Sequence, residues 1–323
     1  MTRRGAPARS RAIELEPRNE ILIIVAIPKL ARVVLWMVGA LLSFSVMAVS
    51  VRVLASRGLS IFEILALRSG VALLLLAMLL LLRPDLAASL RPRRMGLHLL
   101  RNTIHYIAQY AWALGLTMLP LAMVFSLEFT MPAWTVPLAG WLLHERMSAS
   151  RVGVVVLGIV GVLVILRPGI AAINPAAFLV LGAAFGFAIV MIATKTLTAT
   201  ETTFGIIFWM AVIQLPLSLV GSDLGVFLHL NSGHILPALG VGIAGTTSHY
   251  CLSNAFRSGD ATLVVPLDFM RIPLIAVVGW ALYNESLDVF VFLGALIIVT
   301  GVLWNLRSES RHSTVAEALE IAE

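Results

Sequence analysis

Long apolar stretches recur along most of the chain and are separated by short polar connections. A bilayer core about 30 Å thick is crossed by roughly 20 apolar residues in a helix. Stretches near that length predict ten transmembrane helices, over residues 33–55, 62–82, 97–118, 121–142, 150–166, 176–198, 204–221, 235–255, 261–282 and 288–306. The pattern therefore predicts an all-α integral membrane fold in which neighbouring helices form antiparallel hairpins.

The composition supports a membrane protein and excludes several other classes. Apolar residues make up 59% of the 323 positions and charged residues 12%, whereas soluble proteins average about 45–50% and about 25%. So few polar groups could not cover a soluble fold, which excludes a soluble enzyme, a nucleic-acid-binding protein and a disordered scaffold. The single cysteine, Cys251, excludes an internal disulfide and a cysteine-based metal site.

The basic residues indicate how the chain is oriented. With the N-terminus inside, 18 of the 23 lysine and arginine residues fall on cytoplasmic segments, as the positive-inside rule requires. We therefore predict a multi-pass protein of the cell inner membrane with two cytoplasmic tails, residues 1–32 and 307–323. The net charge of +6 follows from this orientation, so it does not indicate nucleic acid as a partner.

An internal repeat emerges when the sequence is shifted by 140 positions. The matched pairs include Tyr110 with Tyr250, Phe129 with Phe269, Glu145 with Glu285 and Gly161 with Gly301. The two halves, residues 33–167 and 176–306, then hold five predicted helices each. Because five is odd, two copies in series must have opposite orientations in the membrane. Inverted repeats are typical of secondary transporters, whose half-sites open alternately to either side.

The matched regions resemble a known family. The runs LPLAMVFSLEFTMPAW and WLLHERMS in the first half, and DATLVVPLDFMRIPL and WALYNESL in the second, resemble paired EamA domains. This resemblance places the chain in the drug/metabolite transporter superfamily and covers residues 33 to 306. The superfamily includes exporters of amino acids and importers of solutes such as S-adenosylmethionine and riboflavin, and the Pro266–Pro273 run is most similar to the importer-containing branch.

Four charged residues, Arg68, Glu128, Asp268 and Arg271, lie well away from the ends of the predicted spans. A charge at such depth costs about 2.5–3.5 kcal/mol on the translocon scale. Arg68 and Glu128 lie at similar depth, roughly 10 Å below the outer face, so they can meet. Asp268, the repeat partner of Glu128, lies equally deep from the inner face, and Arg271 follows on the same helical face. We therefore expect two acid–arginine pairs that flank the midplane from opposite sides.

These charges suggest roles in transport. Glu128 or Asp268 would take up and release a proton or bind a cationic group, and Arg68 or Arg271 would bind a carboxylate or phosphate of the solute. The alternative is two structural ion pairs that hold the halves together, because buried pairs are often no more than that.

Two predicted helices also carry polar and aromatic stripes. Their candidate binding residues are His105, Gln109 and Tyr110 on the third span and His249, Tyr250 and Asn254 on the eighth. Because the repeat matches positions between the two stripes, we favour a solvated cavity that binds a polar solute. The alternative is hydrogen bonding between helices, worth about 0.6 kcal/mol per bond.

Other conspicuous residues have structural interpretations. Arg52 and Lys195, which the repeat matches near span ends, are expected to snorkel to the interface. Glu145 and Glu285 lie at hairpin turns and resemble the turn glutamate of the family, for which we favour a structural role. Glycine-rich helices allow close packing and could mediate a homodimer. Prolines predict kinks in the helices that carry the acids; they are Pro132, Pro137, Pro266 and Pro273.

The remaining motifs bound the function. The sequence has no phosphate-binding loop that would indicate direct use of ATP, and no clustered metal ligands, so we predict no cofactor and no catalytic site. The leading prediction is a secondary active transporter of a small polar or amphoteric metabolite (amino-acid-like, nucleoside-like or vitamin-like) that is proton-coupled or an exchanger. The alternative is a membrane-embedded enzyme acting on a lipid-linked substrate, which would need catalytic groups clustered near one interface.

Overall fold

The computed structural model describes residues 29–142, 148–168, 174–258, 264 and 267–322, and this part of the chain is helical. The principal helices are α1 (Lys29–Ser56), α2 (Ile61–Leu82), α3 (Met95–Met118), α4 (Leu121–Glu128), α5 (Met131–Leu142), α6 (Ala149–Leu166), α7 (Ala176–Thr198), α8 (Thr203–Val220), α9 (Ser232–Ser258), α10 (Arg271–Tyr283) and α11 (Val289–Ala322). Two short 3-10 helices, Pro84–Leu90 and Leu224–His229, lie in connections.

Seven of the described helical segments are long and apolar enough to span a membrane. They are α1, α2, the combined α4–α5 segment, α6, α7, α8 and the Val289–Ser308 part of α11. With 24 and 27 residues, α3 and α9 are equally long, but their polar stripes lower their hydropathy. The all-helical membrane fold is thereby confirmed, and the number of ten spans stays a prediction.

The outer surface of the helices is strongly apolar. Leu81, Trp141 and Val220 expose 82%, 75% and 89% of their surfaces. Apolar patches of this extent do not persist in water and indicate contact with lipid. The bilayer therefore covers the outside of the helices, and the polar side chains must find their partners inside.

The fourth predicted span is broken next to its acid. α4 ends at Glu128 and α5 begins at Met131. Pro132, in the first turn of α5, lacks the N–H that a continuous helix would direct to the carbonyl of Glu128. Proline is tolerated there because the first N–H groups of a helix have no intrahelical partner.

The same break occurs in the second half of the chain. α10 begins at Arg271, a turn at Met270 precedes it, and Pro273 lies in its first turn. A shift of 140 positions places Arg271 on Met131, where α5 begins. Among the described residues, the helices are therefore interrupted at residues 129–130 and at Met270, whereas Pro137 lies within α5 without interrupting it. Pro266 lies outside the described residues.

The helices pack in long pairs. α1 lies along α9, α3 along α7, α6 along α11, and α2 against both α8 and α9. Small residues permit the closest approach, between α6 and α11. A Cβ atom added to Gly161 would lie 2.6 Å from the carbonyl oxygen of Gly294, and one added to Gly294 would lie 2.5 Å from that of Gly161.

A buried acid also joins two elements at the end of the bundle predicted to be external. The Ser60 hydroxyl accepts a hydrogen bond from the backbone N–H of Glu63, whose carboxylate accepts one from the backbone N–H of Ser60 at 2.7 Å. This reciprocal pattern is a capping box, and it begins α2 at this point. The second Glu63 oxygen accepts from the backbone N–H of Asp223 at 3.2 Å, so the carboxylate is used structurally.

The two predicted tails differ in how much of each the structure describes. Residues 1–28 lie outside the described residues, as does Glu145. Residues predicted as the C-terminal tail continue α11 as far as Ala322.

Replacing Gly161 by valine is expected to lower the melting temperature of the purified protein, because the added side chain must push α6 away from α11. Overpacking of this kind costs about 1–3 kcal/mol. Gly182→Val in α7 is the matched control, since no atom lies within 4 Å of its Cβ position. Differential scanning fluorimetry in detergent measures both, and equal losses would contradict the close α6–α11 packing.

Candidate transport site

One arginine joins the two intramembrane acids. Arg271 Nη1 donates to Glu128 Oε1 at 3.2 Å, and its Nη2 donates to both oxygens of Asp268 at 2.6 Å. The indole N–H of Trp112 donates to the second Glu128 oxygen at 2.8 Å. We call Glu128, Asp268 and Arg271 the charged triad.

The triad is largely buried and partly surrounded by aromatic rings. The side chain of Arg271 is 5% exposed, that of Glu128 20% and that of Asp268 15%. The Arg271 guanidinium lies 3.9 Å from the ring centre of Phe44 and 5.2 Å from that of Phe129, within cation–π range. With both acids ionised, the triad carries one net negative charge.

The structure confirms one expected ion pair and shows that the other was wrong. Asp268 and Arg271 pair as their spacing predicts. Arg68, however, does not pair with Glu128, because the break after α4 brings the Glu128 carboxylate to α10 instead. The two acids therefore share Arg271 and do not flank the midplane with an arginine each.

Arg68 lies among side-chain amides. Its Nη1 donates to Gln109 Oε1 at 3.0 Å and to Gln214 Oε1 at 3.3 Å. The amide nitrogen of Gln214 lies 2.8 Å from His105 Nδ1, and the His105 ring packs against Phe187. Gln214 thus links Arg68 to His105, and Arg68 in turn binds Gln109, so three predicted candidates lie together.

His249 lies between Arg68 and the triad. Its ring meets Phe44 edge-on with ring centres 5.9 Å apart, and Phe44 in turn lies beneath Arg271. One turn earlier on α9 is Gly245, where an added Cβ atom would lie 2.9 Å from Arg68 Nε. His249 therefore belongs to the same polar centre as the other candidates.

Three predicted candidates lie apart from this centre. Tyr250 is 54% exposed, and its ring packs edge-on against Trp36. The side-chain amide of Asn254 donates to the carbonyl of Tyr250 on its own helix. Tyr110 packs against Phe62, with ring centres 4.7 Å apart. Gln109 and Tyr110 are neighbours on α3, and successive residues on a helix point in different directions. Gln109 faces the polar centre around Arg68, so Tyr110 faces away from it.

An ion pair joins separate helices at the end predicted to be external. Arg52 pairs with Glu285, and the second Glu285 oxygen accepts from the backbone N–H of Leu121 at 2.9 Å. Arg167 Nη2 likewise donates to Oδ2 of Asp288 at 2.5 Å, and Asp288 lies three residues after Glu285. Glu285 thus contacts α1 and the start of α4, and its structural role stays a prediction. The snorkelling expected for Arg52 was wrong, because Arg52 pairs with this carboxylate inside the protein.

A second carboxylate joins elements at the opposite end of the bundle. Glu201 Oε2 lies 2.6 Å from His98 Nε2, and its other oxygen accepts from the backbone N–H groups of Arg93 and Arg94. Burial by itself would raise the pKa of the Glu201 carboxyl, but these hydrogen bonds outweigh it and hold the pKa below the ordinary value. The carboxylate thus ties the α7–α8 turn to the start of α3.

Sequence reasoning missed several members of the polar centre. Gln214, Phe44, Arg101 and Trp112 are not among the candidates that the sequence predicts. A lone amide in an otherwise apolar span was the available signal for Gln214. Arg101 lies near the predicted cytoplasmic start of its span, which suggests a residue at the membrane surface, yet it is 8% exposed. The described residues hold no group of three or more potential metal ligands.

The helices and their buried polar centre define a multi-pass membrane protein with ionisable groups enclosed among its spans. The profile of the EamA-like transporter family matches the chain twice, over residues 31–167 and 174–307. The chain therefore belongs to the EamA-like transporter family, within the drug/metabolite transporter superfamily, and it is a transporter of a small molecule and not an enzyme.

Curated relatives include transporters of different solutes. The chain is 26% identical to an S-adenosylmethionine uptake transporter of Rickettsia prowazekii over 223 residues, 69% of this chain and 76% of the relative. It is 28% identical to a riboflavin transporter of Rhizobium johnstonii over 225 residues, 69% and 74% of the two chains. A solved crystal structure of a protein matches with a TM-score of 0.57 and 16% identity over 84% of this chain and 96% of that chain, which shows the fold alone.

Glu285→Gln is expected to destabilise the protein, because it removes the charged partner of Arg52 and leaves that arginine only its neutral acceptors. Loss of a hydrogen bond to a charged group costs roughly 1.5–3 kcal/mol. Asp85→Asn provides the matched control, since Asp85 pairs with Arg83 at an exposed site and exposed pairs contribute about 1 kcal/mol or less. Thermal unfolding in detergent compares the melting temperatures of the two variants. An equal loss in both would contradict a stabilising role for the Arg52–Glu285 pair.

Proposed function

We propose that the protein is a secondary active transporter that moves a small polar or amphoteric metabolite across the cell inner membrane by alternating access, coupled to protons or to exchange. The observation that carries the proposal is the charged triad at the breaks of two helices. Discontinuous helices with ionisable groups near the bilayer midplane are the usual construction of substrate and coupling-ion sites in transporters.

The two breaks occupy repeat-equivalent positions, which supports an inverted repeat. Phe129 and Phe269, which the 140-residue shift matches, pack edge-on with ring centres 5.8 Å apart. A residue that contacts its own repeat partner lies close to the axis relating the two halves. The charged triad, which directly adjoins these rings, would then lie at the centre of the carrier.

The helix packing supports the same symmetry. The shift converts the contact of Gly161 with Gly294 into a contact of Gly301 with Val154, and an added Gly301 Cβ atom would lie 3.4 Å from the Val154 Cα atom. Among helices, the shift likewise relates the α1–α9 pair to the α3–α7 pair. Two halves related in this way can rock against each other and exchange the side that is open.

The ties at the two ends are the contacts that such rocking would break. Opening to the outside requires Arg52 to separate from Glu285, and opening to the cytoplasm requires the Glu201 contacts to part. Both are hydrogen-bonded ion pairs or charge-assisted bonds that water can replace once an end opens. The structure, with both ties formed, corresponds to a closed state of this cycle.

The chemistry of the triad gives it a coupling role. Two carboxylates compete for one guanidinium in a water-poor site, so one of them is under-neutralised. Binding a proton or a cationic group of the solute relieves that excess charge. Because the relief differs between open and closed states, binding can shift the balance between them.

The predicted solute class agrees with what is known of the relatives. Its relatives include transporters named for S-adenosylmethionine and for riboflavin, two metabolites that combine polar groups with a ring system. The aromatic rings beside the triad, Phe44, Phe129 and Trp112, suit a solute of that kind. The positive-inside distribution supports cytoplasmic termini, and the exposed glycine Gly182 on α7 leaves room for a second copy in a homodimer.

Neutralising either acid is expected to abolish coupling. In proteoliposomes, Glu128→Gln and Asp268→Asn should each reduce saturable, counter-solute-stimulated uptake of labelled S-adenosylmethionine or riboflavin at least tenfold and remove its pH dependence. The exposed Asp85→Asn variant is the control for loss of one carboxylate and should transport normally. Full and still pH-dependent uptake in both triad variants would show that the acids are structural.

A further inference from the structure

Two arginines inside the bundle pair with no acid among the described residues. Arg68 on α2 is 5% exposed and Arg101 on α3 is 8% exposed. Within the described part of the chain, the hydrogen-bond partners of the two guanidinium groups include no carboxylate, and the charge of Arg101 acts unfavourably on Arg68. Two like charges therefore lie together in a medium where an unpaired charge costs several kcal/mol.

The groups around these arginines are neutral. Arg101 Nε donates to Thr194 Oγ1 at 2.8 Å, and its Nη1 donates to Asn102 Oδ1 at 2.6 Å. Arg68 Nη1 donates to the oxygens of Gln109 and Gln214. Amide and hydroxyl oxygens satisfy hydrogen-bond donors, but they do not cancel the two formal charges.

Unused donors remain in the same place. Arg68 Nε and Asn102 Nδ2 are buried without a hydrogen-bond partner, and Asn102 is fully buried. Native proteins rarely leave buried donors unpaired, because each costs about 1–3 kcal/mol. Two buried cations and two unsatisfied donors together point to a missing negatively charged acceptor.

This basic region lies beside the charged triad. On α3, Gln109 binds Arg68 and Trp112 binds Glu128, and these two residues are three apart on one helical face. Three residues of helix correspond to a rise of about 4.5 Å. On α9, His249 interacts electrostatically with both the arginines and Arg271. The centre is therefore one continuous site with a basic part and an acidic part.

We infer that Arg68 and Arg101 form the subsite that binds a carboxylate group of the transported solute. Arg68 and Arg101 carry two positive charges and the charged triad carries one negative charge, so the five residues sum to one positive charge. A lone carboxylate cancels that charge and a phosphate dianion exceeds it, whereas an amphoteric solute lowers the local excess of each part of the site by one charge. Guanidinium groups also match the planar, two-oxygen geometry of a carboxylate. The inference deepens the proposed function and rests on it for the identity of the solute.

The solute class follows from the two parts of the site. An amphoteric solute would place its carboxylate between the arginines and its cationic group toward Glu128 and Asp268. The cation then relieves the excess negative charge of the triad while the carboxylate relieves the excess positive charge of the arginines. Solutes that lack a carboxylate would place no negative charge beside the arginines and should bind less tightly.

The first test uses a probe that does not depend on the solute. Sodium acetate should raise the melting temperature of the purified full-length protein in detergent at constant ionic strength, and acetamide should not. Arg68→Gln and Arg101→Gln should each weaken the apparent affinity for acetate at least tenfold. Arg83→Gln, which removes an exposed arginine paired with Asp85, should leave it unchanged.

Several results would overturn the inference. One is that acetate fails to stabilise the wild-type protein, or that acetamide stabilises it equally. Another is that both arginine variants keep the wild-type response to acetate. A third is that inorganic phosphate binds more tightly than acetate. Arg68→Lys guards against misfolding, because it retains the charge and should recover part of the acetate response that Arg68→Gln loses.

The second test separates the inference from the proposed function. The test measures how strongly two unlabelled competitors inhibit the counterflow of labelled S-adenosylmethionine. The competitors are S-adenosylmethionine itself and its decarboxylated form, which lacks the carboxylate. The intact compound should compete at least tenfold better in the wild-type protein and lose that advantage in Arg68→Gln. Acetate binding without any flux would contradict the transport assignment and support the subsite, whereas flux without discrimination would contradict the subsite alone.

Discussion

The structure depends on one constraint, which is that a charge within the hydrocarbon region must be balanced inside the protein. Arg271 satisfies this constraint for two acids at once, since Glu128 and Asp268 both bind its guanidinium. The aromatic faces of Phe44 and Phe129 cover the same group. Because three charged groups share one centre, a change in any of them alters the balance of the other two, which is the property that a coupling site requires.

The helix breaks make this centre possible. In the fourth predicted span, the interruption between α4 and α5 directly follows Glu128. Ending α4 at Glu128 and starting α10 at Arg271 brings the acid of one half to the arginine of the other. The prolines that follow each break remove backbone donors where a new helix begins, so the breaks leave few backbone groups without partners.

Sequence periodicity predicted the helices well, because lipid-facing and core-facing positions are both apolar and a span needs little else. It also placed Asp268 and Arg271 together, since residues three apart on a helix share a face. It failed for Arg68 with Glu128, because equal depth does not fix the direction in which a side chain points. Gln214 was missed for a related reason: its partners, Arg68 and His105, come from two other helices.

The central claim is that this charged centre becomes accessible from each side of the membrane in turn. A single cysteine at position 249, made by His249→Cys in a Cys251→Ser background, reports on that access through membrane-impermeant thiol reagents. In right-side-out and inside-out vesicles, the account predicts labelling from both faces, with solute changing the two rates in opposite directions. Labelling from one face only, at a rate indifferent to solute, would contradict alternating access.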